Sequence, residues 1–134
     1  MKEKIKVLSV ITEKRRYRSC KLTMNDVIEK EVPDTYEFKV VFKGQNIIEQ
    51  IEQYRPKIVF LPHDGLINTL DLLRQIKQVD PSIVIFILLS EKLIEDEQKT
   101  ISEFYNAGAY KCVYSTFAIN SLIHDMHVSL NLEQ

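Results

Sequence analysis

The sequence predicts an α/β fold in which helices cover both faces of a five-stranded parallel sheet. Short hydrophobic runs alternate five times with longer amphipathic segments, which is typical of successive βα units. One run, residues 83–89, is apolar at every position, as expected for a strand buried on both faces. The 134 residues, 45% of them hydrophobic, supply one core of ordinary size. We therefore expect residues 1–134 to form a single domain.

The first two βα units occupy the first 56 residues. Residues 5–11 form the first predicted strand, and apolar side chains at helical spacing over residues 17–28 predict the first helix. Residues 36–42 form the second strand. After a turn at Gly44, a second helix carries its apolar stripe on Ile47, Ile48, Ile51 and Tyr54. Pro56 ends this helix, because a proline disfavours helical backbone in the residue before it.

The third unit contains a short apolar strand and a well-marked helix. The strand is predicted over residues 57–61, and residues 62–65 (Pro-His-Asp-Gly) are predicted as a loop. Asn68 is a suitable N-cap, with Asp71 three residues later. The helix buries Leu70, Leu73 and Ile76 and ends before Pro81.

The last two units complete the alternation. The apolar strand 83–89 is followed by a helix over residues 91–107, with Ile94, Ile101, Phe104 and Tyr105 facing inward. Gly108 is predicted as a left-handed C-terminal cap. Residues 110–114 form the fifth strand. A one-faced helix then carries Ile119, Leu122, Ile123, Met126 and Leu130.

Five such units at this length predict a three-layer, doubly wound (βα)5 fold of the flavodoxin-like type, with strand order 2-1-3-4-5. Ligands of these sheets bind beyond the carboxyl ends of the strands, where strand 1 separates from strand 3. The residues that follow the strands are therefore the first candidates for a functional site. They lie at positions 11–13, 62–64, 89–91 and 115–116.

Composition excludes several function classes. Eighteen basic and nineteen acidic residues give a net charge of -1, which argues against direct nucleic-acid binding. The three glycines, at positions 44, 65 and 108, cannot form a dinucleotide-binding loop, a phosphate-binding loop or a G-x-S-x-G nucleophile turn. We expect no cofactor.

The chain also carries no predicted membrane or secretion signal. No apolar run approaches the roughly 20 residues of a membrane span, and the N-terminus lacks the pattern of a signal peptide. Cys20 and Cys112 form no C-x-x-C pair and are interpreted as reduced thiols. We therefore expect a cytoplasmic location.

Several fragments together resemble one known family. They are the third-strand segment 55–61, the third-helix segment 70–77, the pair Asp80-Pro81, the tripeptide 107–109 and Phe117. In layout and in these fragments the chain resembles, over essentially its whole length, the receiver domain of bacterial two-component response regulators. The resemblance implies a signalling function.

Receivers transfer a phosphoryl group onto one of their own aspartates. The family uses an acidic pair after strand 1 and the acceptor aspartate after strand 3 to hold Mg²⁺, which neutralises the phosphoryl oxygens. A hydroxyl after strand 4 and a lysine after strand 5 complete the site.

The resemblance places different residues at these positions here. The acidic pair corresponds to Ile11 and Thr12, the acceptor to Pro62, the hydroxyl to Leu89 or Ser90, and the lysine to Ser115. Proline has no carboxylate to attack phosphorus, and without the acidic pair Mg²⁺ has few ligands. We interpret the chain as a degenerate receiver, a pseudo-receiver, with no enzymatic activity and no metal.

Displaced carboxylates are an alternative. Glu13 and Asp64 are each close in sequence to the expected pocket, so Asp64 could replace the acceptor and Glu13 could supply one metal ligand. Against this, Asp64-Gly65 is a natural turn pair, and two carboxylates hold Mg²⁺ poorly. A turn aspartate is the favoured interpretation, and a working phosphoacceptor stays open.

A basic segment begins where strand 1 ends. Arg15, Arg16 and Arg18 lie at the predicted start of the first helix, where backbone N–H groups and cations favour an anion. Sensing of an anion or a nucleotide is the second alternative. A solvated helix face is the favoured interpretation of this charge run.

The last two helices and the fifth strand form a predicted partner-binding surface. The fifth strand is expected at the sheet edge, with Tyr110 and Tyr114 on it and His124 and His127 on the last helix. The two histidines have a spacing that metal sites use, but no third ligand is near them. In receivers this surface commonly makes dimers, which the resemblance implies here.

The leading hypothesis is therefore a signalling domain that works without phosphotransfer, by binding a protein partner or a second copy of itself. We expect 134 residues to leave no room for an output domain. If the chain belongs to a longer regulator, a DNA-binding output domain would fit.

Overall fold

The computed structural model describes residues 4–12, 34–43, 45–63, 67–89, 97–114 and 119–130. The five strands are β1 (Ile5–Ile11), β2 (Tyr36–Phe42), β3 (Ile58–His63), β4 (Val84–Leu89) and β5 (Lys111–Tyr114). The described helices are α1 (Ile47–Tyr54), α2 (Thr69–Val79), α3 (Glu97–Asn106) and α4 (Ile119–Ser129). All strand pairs are parallel, in the order β2-β1-β3-β4-β5, which confirms the predicted flavodoxin-like topology.

The sheet separates two apolar layers, because successive residues of a strand point to opposite faces. On one face Leu8, Val59 and Ile85 pack beneath α1, α2 and α3. On the other face lie their neighbours Val7, Ile58 and Phe86, covered by α4. The central strands are thus buried on both sides, which is why β4 needs an apolar residue at every position.

Helix ends follow the local sequence signals. The Asn68 side chain accepts a hydrogen bond from the Asp71 backbone N–H at 3.1 Å, as predicted for the N-cap of α2. Arg55 caps the C-terminus of α1 in the left-handed conformation, with φ of 55°. Gly108, after α3, has φ of 110°, which confirms its predicted positive φ.

Two local predictions are wrong. Pro62 and His63 belong to β3 rather than to a loop, and both pair with β4. A proline is tolerated there because β1 pairs with β3 only as far as Phe60. Beyond Phe60, the side of β3 that faces β1 needs no backbone N–H donor, which proline lacks. Tyr105, predicted to face inward, is 44% exposed.

The first predicted helix, residues 17–28, lies outside the described residues. Within the described ranges, no helix has the length and apolar character needed to cross a bilayer.

Candidate functional site

The strands separate at one place along the carboxyl edge of the sheet. β1 and β3 pair only up to Ser9 and Phe60. Beyond that point β1 continues beside β2 to Ile11, whereas β3 continues beside β4 to His63. This divergence produces the switch-point crevice that the fold class predicts.

The end of β1 brings no charge to the crevice. Ile11 is 7% exposed and Thr12 is 4% exposed. The Ile11 carbonyl accepts a hydrogen bond from the Lys43 N–H at 2.9 Å, which keeps the end of β1 beside β2. Two positions that would each need a carboxylate to hold a divalent cation thus supply one hydroxyl between them.

Pro62 connects the end of β3 to the next helix. Its carbonyl oxygen accepts a 2.6 Å hydrogen bond from the Thr69 hydroxyl, and Thr69 is 2% exposed at the first residue of α2. The backbone carbonyl is the one polar group that a proline has. At this position the chain therefore offers a structural hydrogen bond and no nucleophile.

His63, the last residue of β3, lies at one of the candidate positions, but no chemistry was predicted for it. Its ring contacts the edge of Phe104, with ring centroids 5.1 Å apart and an interplanar angle of 76°. Its Nδ1 atom is buried, and no group in the described ranges hydrogen-bonds to it. Its place directly after the apolar run of β3 was the only sequence signal that could have pointed to it.

The ends of β4 and β5 are also uncharged. Leu89 is 1% exposed and pairs with His63 on one side and with Tyr114 on the other. Tyr114 is half-buried and packs against the core of the α1–α3 layer. Across the described residues, no group of three or more His, Cys, Asp or Glu side chains is placed to hold a metal ion.

Several predicted site residues lie outside the described residues: Glu13, Arg15, Arg16, Arg18, Asp64, Ser90 and Ser115. The displaced-carboxylate and anion-sensing alternatives rest on them and stay predictions.

The second candidate site is the β5 surface, which we define as β5 with the adjoining exposed parts of α3 and α4. Tyr105 and Tyr110 are 44% and 41% exposed on it. The Tyr110 ring lies 5.4 Å from that of buried Phe86, so the exposed ring rests on the core. Lys111 Nζ donates a 2.8 Å hydrogen bond to Asp125 Oδ2, which raises the pKa of Lys111.

Tyr105 leaves the core because its hydroxyl has a partner at the sheet edge. The Cys112 N–H of β5 donates a 3.1 Å hydrogen bond to the Tyr105 hydroxyl. This hydrogen bond gives a partner to a backbone N–H that faces outward from β5, which is an edge strand of the sheet. Burial raises the pKa of the Cys112 thiol to about 11, so this thiol is protonated at neutral pH and is a poor nucleophile.

The two histidines of α4 have different surroundings. His124 is exposed on the β5 surface. His127 is half-buried: its ring stacks on Tyr36 with centroids 5.5 Å apart, and its Nδ1 is 2.8 Å from the Tyr36 hydroxyl. His127 therefore holds α4 against β2 instead of lying free for a partner.

Solved structures share this architecture. The signal receiver domain of a putative LuxO repressor protein from Vibrio parahaemolyticus aligns with 96% of this chain and 91% of its own, at 18% identity and a TM-score of 0.75. The receiver domain of the Francisella response regulator 1452 aligns with 95% of this chain and 97% of its own, at 15% identity and a TM-score of 0.72.

NtrX from Brucella abortus is similar at 21% identity and a TM-score of 0.74. The alignment covers 96% of this chain but only 26% of NtrX. No protein-family model and no curated protein matches the sequence. At these identities the likeness defines the fold: the chain has the fold of response-regulator receiver domains.

Proposed function

We propose that the chain is a receiver-like signalling domain that acts through protein contacts and not through phosphotransfer. The observation that carries this proposal is Pro62 at the end of β3. The resemblance places the family's acceptor position at Pro62, which has no side-chain nucleophile, and the Pro62 carbonyl accepts a hydrogen bond from Thr69.

The neighbouring positions support the same conclusion. Ile11 and Thr12, where the resemblance places the family's acidic pair, are buried and uncharged. To bind Mg²⁺, a protein must supply oxygen ligands that replace part of the water shell of the ion. A buried isoleucine and a single hydroxyl do not supply them.

The β5 surface supports a role in protein binding. Tyr105 and Tyr110 are two of the three large hydrophobic residues with high exposure among the described residues. Tyrosine supplies both apolar area and a hydroxyl, and it is enriched at protein interfaces. The adjacent Lys111–Asp125 pair provides a charged rim.

A phosphorylation assay tests the first half of the proposal. The protein is incubated with acetyl phosphate and Mg²⁺ beside an active receiver as positive control, and intact masses are compared. We expect no added phosphoryl group on this chain. A stoichiometric adduct that disappears in Asp64→Asn or Glu13→Gln would reject the proposal and establish the displaced-carboxylate alternative.

Sedimentation velocity over a range of protein concentrations tests the β5 surface. If the partner is a second copy, Tyr110→Lys should dissociate the dimer, whereas Tyr110→Phe, which keeps the ring on Phe86, should not. A dimer that neither variant affects would place the contact elsewhere. A monomer at every concentration restricts the proposal to a different protein as partner.

A further inference from the structure

A cleft of about 520 Å³ opens at the edge of the sheet opposite to the crevice. Its walls are the C-terminal ends of α1 and α2 and the segments that lead into β3 and β4. Because the strands are parallel, these segments share the amino edge of the sheet. The volume lies within the usual range for small-molecule sites, roughly 300 to 1,000 Å³.

The cleft has an apolar floor beneath a charged rim. Ile51 and Ile83, 1% and 3% exposed, form the floor together with buried Pro56. Val79 adds an apolar side chain that is 41% exposed. Because Ile51 and Ile83 are almost fully buried, the exposed part of Val79 is the apolar surface that a ligand would remove from water.

Among the four charged rim residues, only Asp80 has side-chain hydrogen bonds within the described ranges. The Asp80 carboxylate accepts hydrogen bonds from the Ser82 N–H at 2.9 Å and from the Ser82 hydroxyl at 2.6 Å. Those hydrogen bonds lower the pKa of Asp80, and Lys57 contributes to the same shift. Lys57 and Asp80 thus offset one another across the rim.

Glu52, Arg55 and Lys57 have no ion-pair or side-chain hydrogen-bond partner in the described part of the chain. The rim thus presents an open carboxylate and an open guanidinium, with Lys57 and Asp80 as a second pair of opposite charges. This pattern complements a ligand that carries one charge of each sign.

Arg55 occupies a backbone position that favours glycine. Arg55 adopts φ of 55° and ψ of 59°, and it precedes a proline. Glycine is the usual residue at such a cap, because a Cβ is unfavourable in the left-handed region. An arginine at a position that favours glycine is the kind of local cost that accompanies functional sites.

We propose that the cleft binds a small zwitterion with an apolar side chain, such as an apolar amino acid. Its carboxylate pairs with the Arg55 guanidinium, and its ammonium group pairs with the Glu52 carboxylate. The side chain covers the exposed part of Val79. The C-terminal ends of α1 and α2 favour the ammonium group over a second anion, because the helix dipole is negative there.

Titration with matched probes tests this proposal. Amide chemical shifts of the ¹⁵N-labelled full chain are followed with L-leucine, with 4-methylpentanoate, which lacks the ammonium group, and with 3-methylbutylamine, which lacks the carboxylate. Glycine lacks the side chain. We expect saturable shifts over residues 51–57 and 79–83 with L-leucine at millimolar concentration, and weaker binding of the other three probes.

Variants separate the rim charges from general effects. Arg55→Gln and Glu52→Gln should each weaken L-leucine binding about fivefold, which corresponds to one partly exposed ion pair. Arg74→Gln and Glu103→Gln, which remove exposed charges outside the cleft, should leave binding unchanged.

Three results would each overturn the proposal. They are the absence of shifts in the two segments, binding of 4-methylpentanoate or 3-methylbutylamine as tight as that of L-leucine, and full affinity in Arg55→Gln. None of these results bears on the crevice or the β5 surface, so the proposed signalling function stands or fails separately.

Discussion

The two edges of the sheet differ in what their side chains can do. At the carboxyl edge, the described residues at the ends of β1, β3 and β4 include Thr12, Pro62 and Leu89, none of them charged. At the amino edge, Glu52 and Arg55 stand open on a cleft with an apolar floor. The topology creates a crevice at the carboxyl edge in any fold of this kind. Chemistry there depends on the residues that line it, so the fold alone does not give the function.

The helix ends explain part of this difference. At the carboxyl edge, α2 begins with Thr69, whose hydroxyl bonds to Pro62 and draws the helix start against β3. At the amino edge, two of the helices end in left-handed residues, at Arg55 after α1 and at Gly108 two residues after α3. One cap carries glycine, which suits its backbone, and the other carries arginine. Substitutions at these positions test whether the two edges are built for different purposes.

The largest expected effect is at Gly108. Gly108→Ala should destabilise the protein by about 2 kcal/mol, because alanine is strained at φ of 110°. The added Cβ would also lie 3.1 Å from Cε of Lys77, whose Nζ is held by the Ile83 carbonyl at 2.6 Å. Urea denaturation measures the change. An unaltered midpoint would mean that the cap adapts to a side chain.

Thr69→Val tests the carboxyl edge. Removing the buried hydroxyl takes one hydrogen bond from the Pro62 carbonyl and should cost about 1.5 kcal/mol. Thr69→Ser keeps the hydroxyl and is the matched control, which should lose clearly less. Equal losses in the two variants would assign the effect to the methyl group and not to the hydrogen bond.

Tyr36→Phe tests the contact between α4 and β2. Loss of the hydrogen bond to His127 should cost about 1 kcal/mol at neutral pH. Burial raises the pKa of Tyr36 from 10.0 to about 12, so the neutral phenol is favoured in the folded state. Its contribution to stability is complete below pH 10 and is lost as the pH rises from 10 to about 12.

Thermal unfolding at pH 9 and pH 11 should therefore show a smaller alkaline loss in Tyr36→Phe than in the native protein. Some loss should remain, because burial and the Glu37 carboxylate also raise the pKa of Tyr54. Identical alkaline losses in the two proteins would contradict the burial of Tyr36.

The smallest expected effect is at Arg55, and its sign is opposite. Arg55→Gly should stabilise the protein by about 0.5 kcal/mol, since relief of the left-handed backbone outweighs the extra freedom of glycine in the unfolded chain. The same variant should bind L-leucine as weakly as Arg55→Gln does. Greater stability together with lost binding would indicate that arginine is kept at this cap for its side chain, whereas lower stability would remove that argument.

Local signals predicted most of the architecture. β1 and β2 have the predicted bounds, and the cap at Asn68 forms as its spacing to Asp71 indicates. Periodicity and capping depend on residues a few positions apart, which is why they can be identified from one sequence. The predicted strand order is confirmed as well, because right-handed crossovers leave few arrangements for five parallel strands.

Contacts between distant residues could not be predicted in this way. Pro62 belongs to β3 because β1 has already separated from that strand, which is a property of the sheet and not of the segment. Tyr105 is exposed because its hydroxyl has a partner on β5. His127 bonds to Tyr36, 91 positions away, and no local pattern indicated that pair.

The sequence by itself determined the βα alternation and the topology, since both depend on residue type and spacing. It also predicted uncharged residues at the ends of β1 and β3, where the resemblance places the family's phosphorylation site. Only the tertiary structure decided where β1 and β3 separate, which tyrosines and histidines reach the surface, and that Glu52 and Arg55 border a cleft with Val79. The physical reason is that a cleft is made by helix ends and strand starts from separate segments, which come together only when the sheet has formed.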